Sequence, residues 1–275
     1  MSEQRYLSWF AETTSGFAAQ QVEAGVASEP QARKDAARQF DGLLPLGLAT
    51  PGQHVWSAFA GDTEVGYLWL GLRTPGDQVE GYVYDVAVPA HLRGRGFGRA
   101  ILLAGEHLAH AMGATAVELN VFAHNIGASQ MYANLGYAAR ETHLTRRLDT
   151  TSPLPGENPP WLRLEPTAPM GTLPGQRVWF AYDGEQEIGT SKLDLGRMSE
   201  DWHGFGLGVH VRKEFRGRGH ARLILAATEQ TCRGQGVVTL RSTVPATQPA
   251  WRSLLDGAGF EVTATLMHKE LAPGR

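Results

Sequence analysis

The chain repeats itself, and the repeat constrains its fold more than any other feature. Arg93-Gly94-Arg95-Gly96 recurs 123 residues later as Arg216-Gly217-Arg218-Gly219. The same spacing, without a gap, pairs Pro51-Gly52-Gln53 with Pro174-Gly175-Gln176 and Val55-Trp56 with Val178-Trp179. It also pairs Gly61 with Gly184, Glu64-x-Gly66 with Glu187-x-Gly189, Gly81 with Gly204, and Val86 and Val88 with Val209 and Val211. Further on it pairs Arg99 with Arg222, Glu106 with Glu229, Gly113 with Gly236, and Gly136 with Gly259. A register held from Pro51 to Gly136 marks a duplicated domain. A chain of 275 residues has room for two domains of ordinary size. Seven of the 15 prolines fall between Pro153 and Pro174. Pro153-x-Pro155 and Pro159-Pro160 cannot sit inside a helix and favour an extended linker. The expected halves are therefore 1–148 and 161–275, joined by a Pro-rich linker over 149–160.

Within each repeat the pattern is mixed. Residues 55–60 and 64–72 read as strands joined by a turn at Gly61-Asp62, and 81–88 as a third strand. A helix follows over 96–112, ended by Gly113, then a strand over 115–122, a helix over 126–135 and a last strand over 142–148. Strands that begin as a meander and then alternate with helices point to an α+β fold, with a mixed, mostly antiparallel twisted sheet flanked by helices in each half. The first half also carries two helices of its own. One is patterned on Tyr6, Phe10, Phe17 and Val22. The other starts at Ser28-Glu29-Pro30-Gln31, which reads as a capping box with proline in the first turn. The corresponding part of the second half falls in the Pro-rich connector, so this helical pair has no counterpart there.

Composition narrows the function. A net charge of −3 is too near neutral for a general nucleic-acid binder. With 42% apolar and 19% charged residues, the chain is neither disordered nor collagen-like. A single cysteine, Cys232, excludes an internal disulfide framework and a zinc site built on cysteine pairs, and no metal is expected. The N-terminus does not read as a signal peptide, and no apolar run reaches membrane-spanning length, so a cytoplasmic protein without a membrane partner is expected.

The segment from Val86 to Arg99 joins a strand to a helix through Gly94, Gly96 and Gly98. Glycines let the backbone approach a ligand closely, and free N–H groups at a helix start make an anion site. Arg93, Arg95 and Arg99 add positive charge, so a phosphate or pyrophosphate is the expected guest. No Gly-Lys-Ser/Thr is present, which excludes a P-loop. The glycine spacing and the preceding meander do not fit a dinucleotide-binding unit.

Arg93-x-x-Gly96-x-Gly98 resembles the acyl-coenzyme A signature of the GCN5-related N-acetyltransferase (GNAT) family, and Arg216-x-x-Gly219-x-Ala221 resembles it too. Asn125-x-x-Ala128-x-x-x-Tyr132-x-x-x-Gly136-Tyr137 is similar to the family's second signature. The resemblance covers both repeats and implies two tandem GNAT domains using acetyl-CoA as cosubstrate. It implies that backbone amides of Arg93, Gly94, Arg95, Gly96, Phe97, Gly98 and Arg99 wrap the pyrophosphate. Backbone groups of Val86, Ala87 and Val88 would bond the pantetheine arm as an added strand. Asn125 would contact the pantetheine or diphosphate region, and Tyr132 would donate to the leaving sulfur. In the second half Val211, Arg216, Gly217, Arg218, Gly219 and Ala221 would be the matching cosubstrate residues.

The general base is open at this level. Where some family members carry a glutamate, Asn120 stands and cannot take a proton. Glu118, two residues earlier on the same strand face, and Asp85, beside the pantetheine strand, are the candidates. In the second half Asn125 becomes Gln248 and Tyr132 becomes Leu255, which cannot donate a proton. The expected protein is thus an N-acetyltransferase active in its first half, with a degenerate second half, acting on a small amine or a peptide amine. The alternative is a non-catalytic acyl-CoA-binding sensor or scaffold.

Overall fold

The computed structural model describes residues 1–23, 27–148, 162–166, 175–198 and 201–271; the linker expected over 149–160 lies outside them. Two helices, α1 (Glu3–Glu23) and α2 (Glu29–Leu43), precede a meander of β1 (Gln53–Ala60), β2 (Thr63–Arg73) and β3 (Glu80–Ala87). Then come α3 (Phe97–Ala111), β4 (Ala116–Phe122), α4 (Ile126–Asn134) and β5 (Ala138–Arg147). The second repeat begins with a strand, β6 (Leu162–Pro166), in place of a helical pair. It continues with β7 (Gln176–Asp183), β8 (Gln186–Met198), β9 (Asp201–Val211), α5 (His220–Gly234), β10 (Val237–Pro245), α6 (Pro249–Gly257) and β11 (Glu261–Glu270).

Side chains alternate along β2 and divide two cores. Tyr67 and Trp69 face α1 and α2 in a cluster with Trp9, Phe40, Leu44 and Val55. Trp9 and Trp69 are fully buried and meet edge to face, ring centroids 5.6 Å apart, a pairing worth about 0.5–1.5 kcal/mol beyond the area buried. Leu68 and Leu70 face the opposite way and pack with Val83, Leu102, Val117, Leu119 and Tyr132. At α2, proline occupies the first turn as expected, but Ser28 makes no side-chain cap. Gln31, the other half of the expected box, donates to Asp35 at 2.6 Å instead.

The two compact units do not coincide with the repeats. One comprises Met1–Glu141 with Thr263–Arg275, the other Thr142–Val262. In the first unit the strand order is β1-β2-β3-β4-β11, with β3 and β4 parallel and the other pairs antiparallel. In the second it is β5-β10-β9-β8-β7-β6, with β9 and β10 parallel. The last strand of each repeat therefore serves the other repeat's sheet. β11 runs against β4 from Ala264 opposite Phe122 to Glu270 opposite Ala116. The Leu148 N–H donates to the Val238 carbonyl at 2.8 Å, and His143 meets Thr243 at 3.1 Å, which sets β5 antiparallel beside β10.

Buried carboxylates record the exchange. Lys269 on β11 pairs with Glu106 on α3 at 2.5 Å, and Arg146 on β5 pairs with Glu229 on α5 at 3.2 Å. Lys269 and Arg146 are equivalent in the duplication, as are Glu106 and Glu229. Duplication explains the departure from the sequence boundary: two similar terminal strands fit either of two similar sheets, which makes exchange cheap.

Candidate active site

The parallel strands β3 and β4 pair only from Glu80 opposite Ala116 to Val83 opposite Leu119. Beyond that they separate. The rest of β3, through Ala87, is held by β2 alone, so its other edge offers unpaired backbone groups to an extended guest. Gly66 on β2 lies against this stretch; a Cβ there would collide with the Ala87 carbonyl and the Ile101 side chain.

After β3 a single 3-10 turn, Ala90–Leu92, leads into the glycine turn. Gly94 and Gly96 have φ of 76° and 84°, a left-handed conformation that favours glycine. Gly96 is the N-cap of α3 and contributes no capping side chain. Among the described residues, no backbone hydrogen bond uses the N–H groups of residues 94 to 99. The helix dipole and these donors favour an anion. Arg95 and Arg99 are exposed beside it, while Arg93 turns its Nε to the Val88 carbonyl at 3.1 Å and braces the turn.

Tyr132, on α4, packs in the core with Val83, Ile101 and Leu119, next to the last pair before the strands part. It is buried, and burial, followed by the charge of Asp85, pushes its phenol up to about 12. It therefore keeps its proton at neutral pH. Asn125 caps α4, its Oδ1 accepting from the Ala128 N–H at 3.2 Å, so the expected ligand contact is left to its amide nitrogen.

Asp85 owes its place to a bulge. Trp69 lies opposite Asp85 and Leu70 opposite Val83, which leaves Tyr84 as the extra residue and brings Asp85 to the Tyr67 face. Tyr67 Oη donates to Asp85 Oδ2 at 2.7 Å, and Thr13 Oγ1 on α1 lies 3.1 Å from Tyr67 Oη. Burial raises the Asp85 carboxyl above its ordinary value, against the opposing bonds from Tyr67 and the Val86 N–H. Burial also raises Tyr67, with the charge of Asp85 next in size. Sequence reasoning found Asp85 but missed Tyr67 and Thr13. The signal was the repeat itself, in which Tyr67 becomes Thr190 and Asp85 becomes Gly208.

Glu118 is placed differently. It lies at the paired end of the strands, opposite Tyr82. It is buried in an ion pair with Arg140, and His268 Nδ1 lies 3.3 Å from the same oxygen. It also lines an open cavity of about 390 Å³ with Arg73, Glu80, Arg140 and Leu266. The Arg73 guanidinium lies 3.4 Å above the Tyr82 ring.

The second turn copies the first. Gly217 and Gly219 have φ of 75° and 82°, and Arg216 Nε donates to the Val211 carbonyl at 3.0 Å. Leu255, in the place of Tyr132, is fully buried, and Gln248 gives α6 no side-chain cap. Among the described residues no His, Cys, Asp or Glu cluster could hold a metal ion, and no helix is long and apolar enough to cross a membrane.

Residues 16–137 and, separately, 145–260 match the acetyltransferase (GNAT) family. The chain is 31% identical over 149 residues to the uncharacterized N-acetyltransferase YycN of Bacillus subtilis, a match spanning 54% of this chain and 96% of that protein. It is 26% identical over 149 residues to the uncharacterized N-acetyltransferase YdgE of the same organism, across 54% of this chain and 95% of that one. A GCN5-related N-acetyltransferase structure from Sphaerobacter thermophilus aligns over 95% of this chain and 92% of its own, with a TM-score of 0.55 and 20% identity, a likeness of fold.

Proposed function

The chain belongs to the acetyltransferase (GNAT) family, and from that premise we propose that its first repeat transfers the acetyl group of acetyl-CoA to a primary amine by direct attack. The observation that carries this is the meeting of three features in one splay: an open strand edge on β3, the N-terminal turn of α3, and the protonated Tyr132. The turn fits a diphosphate because its donors are free and a Cβ at Gly94 or Gly96 would meet nothing within 4 Å.

The residues then divide the work. N–H groups of 94–99 hold the diphosphate, with Arg95 and Arg99 adding charge. The edge of Val86, Ala87 and Val88, where the Val88 carbonyl also takes the Arg93 Nε, lines up the pantetheine arm, and the Val88 N–H steadies the thioester oxygen as it gains charge. The amine nitrogen bonds to the acetyl carbon and the carbon–sulfur bond breaks. The amine gives up one proton and the sulfur gains one. Asp85, raised by burial, accepts the first. Tyr132 donates the second, assistance worth about 10²–10⁴-fold. Tyr67 and Thr13 orient Asp85. Glu118 is left out of proton transfer because Arg140 and His268 already share its carboxylate.

Release of free coenzyme A from acetyl-CoA, measured with a panel of small primary amines and N-terminal peptides, tests the proposal. Amine-dependent release is expected. Tight coenzyme binding with no release across the panel would favour a sensor or scaffold instead.

A further inference from the structure

The second repeat keeps the glycine turn but not the slot beside it. In the first unit Tyr84 follows the last paired residue of β3, Leu119 is the last paired residue of β4, and Ala128 lies in the first turn of α4. The equivalents in the duplication are Leu207, Ser242 and Trp251. Pairing of β9 with β10 ends at Gly204 opposite Leu240, the counterpart of Gly81 opposite Val117, so these strands part sooner. A chain of side-chain hydrogen bonds spans the wider gap. Trp251 Nε1 donates to Ser242 Oγ at 3.2 Å, and Ser242 Oγ donates to the Leu207 carbonyl at 2.8 Å. Ser242 and Leu207 are buried, and Trp251 packs against the core that contains Leu240, Val244 and Leu255.

We propose that Trp251 plugs the second cosubstrate slot, so that the chain takes up one acyl-CoA and not two. This rests on reading the first splay as the acyl-CoA slot. An arm entering the second splay would have to displace an indole already packed in the core. It would also break two hydrogen bonds, one to a buried serine, and each buried group left without a partner opposes binding. Alanine at the first-repeat position presents no such obstacle. The second turn alone supplies donors for a diphosphate but no bed for the rest of the molecule. Trp251 is thus a specificity-determining residue that confines the cosubstrate to the first repeat.

Native mass spectrometry of the intact chain titrated with coenzyme A counts the sites, and amide hydrogen exchange locates them. One equivalent is expected, with protection at residues 94–99 and none at 217–222. Two equivalents, or protection at 217–222, would overturn the proposal. The Trp251→Ala chain is expected to take up a second equivalent; remaining at one would overturn the role of Trp251. Failure of the catalytic reading looks different: one equivalent bound at 94–99, with no acetyl transfer. Absence of any binding to the wild-type chain would overturn both.

Discussion

The two glycine turns agree closely in their backbone dihedrals, with Gly96 at φ 84° and Gly219 at φ 82°, and each is braced by an arginine bonded to a carbonyl at or just past the end of the preceding strand. A few residues away the agreement stops. Where the first repeat has Tyr132, Asp85, Tyr67 and Ala128, the second has Leu255, Gly208, Thr190 and Trp251. The difference separates two demands on one scaffold. Turn and helix start are fixed by backbone geometry and survive as a folding unit. In the proposed mechanism proton transfer and room for a cosubstrate depend on a few side chains, which one copy has and the other lacks.

The largest expected effect comes from giving the first repeat the second repeat's plug. Ala128→Trp should abolish coenzyme A binding in a calorimetric titration and lower turnover by about 10³-fold or more, because positioning of the reactants is lost. Retained turnover would break the contrast between the slots.

Asp85→Asn should lower turnover by about 10²-fold and remove the acid limb of the rate–pH profile. In the wild type that limb lies above the ordinary carboxylate range, because burial raises Asp85 and activity falls as pH drops through the raised value. Stability should move the other way. A raised carboxyl favours the folded state below its unfolded pKa, and that stability is lost as pH rises through the folded pKa. At pH values above the raised one the variant, free of a buried ionised carboxylate, should melt higher than the wild type, and the gap should close as pH falls below it. A gap that widens as pH falls would contradict this. Glu118→Gln should leave the acid limb in place.

The strand exchange gives the smallest and most local effects. Lys269→Met leaves Glu106 buried without its partner and should destabilise the unit holding the first repeat's site by about 1–3 kcal/mol, discounted for the partial exposure of the lysine. Arg146→Met should do the same to the other unit. Thermal inactivation of acetyl transfer should follow the first substitution and not the second. The reverse order would place each terminal strand with its own repeat.

How much of this the sequence disclosed follows from how local each signal is. The glycine turn, the arginine brace and Tyr132 lie in short motifs whose spacing is set by one turn or one helix, and the duplication doubles that signal. The Thr13–Tyr67–Asp85 chain joins a helix and two strands and depends on a bulge at Tyr84, so no spacing announces it. The partners of Glu118 include His268, 150 residues away, which is why the sequence left it level with Asp85 as a base. The exchange of β5 and β11 was hidden for another reason. Two repeats of similar pattern specify which edge a terminal strand fits, but not which copy of that edge.

If the first repeat does the chemistry through Tyr132, coenzyme A release from the Tyr132→Phe chain, with acetyl-CoA affinity measured on the same sample, should show turnover reduced by about 10²–10⁴-fold at nearly unchanged affinity. Turnover equal to that of the wild type would contradict that role.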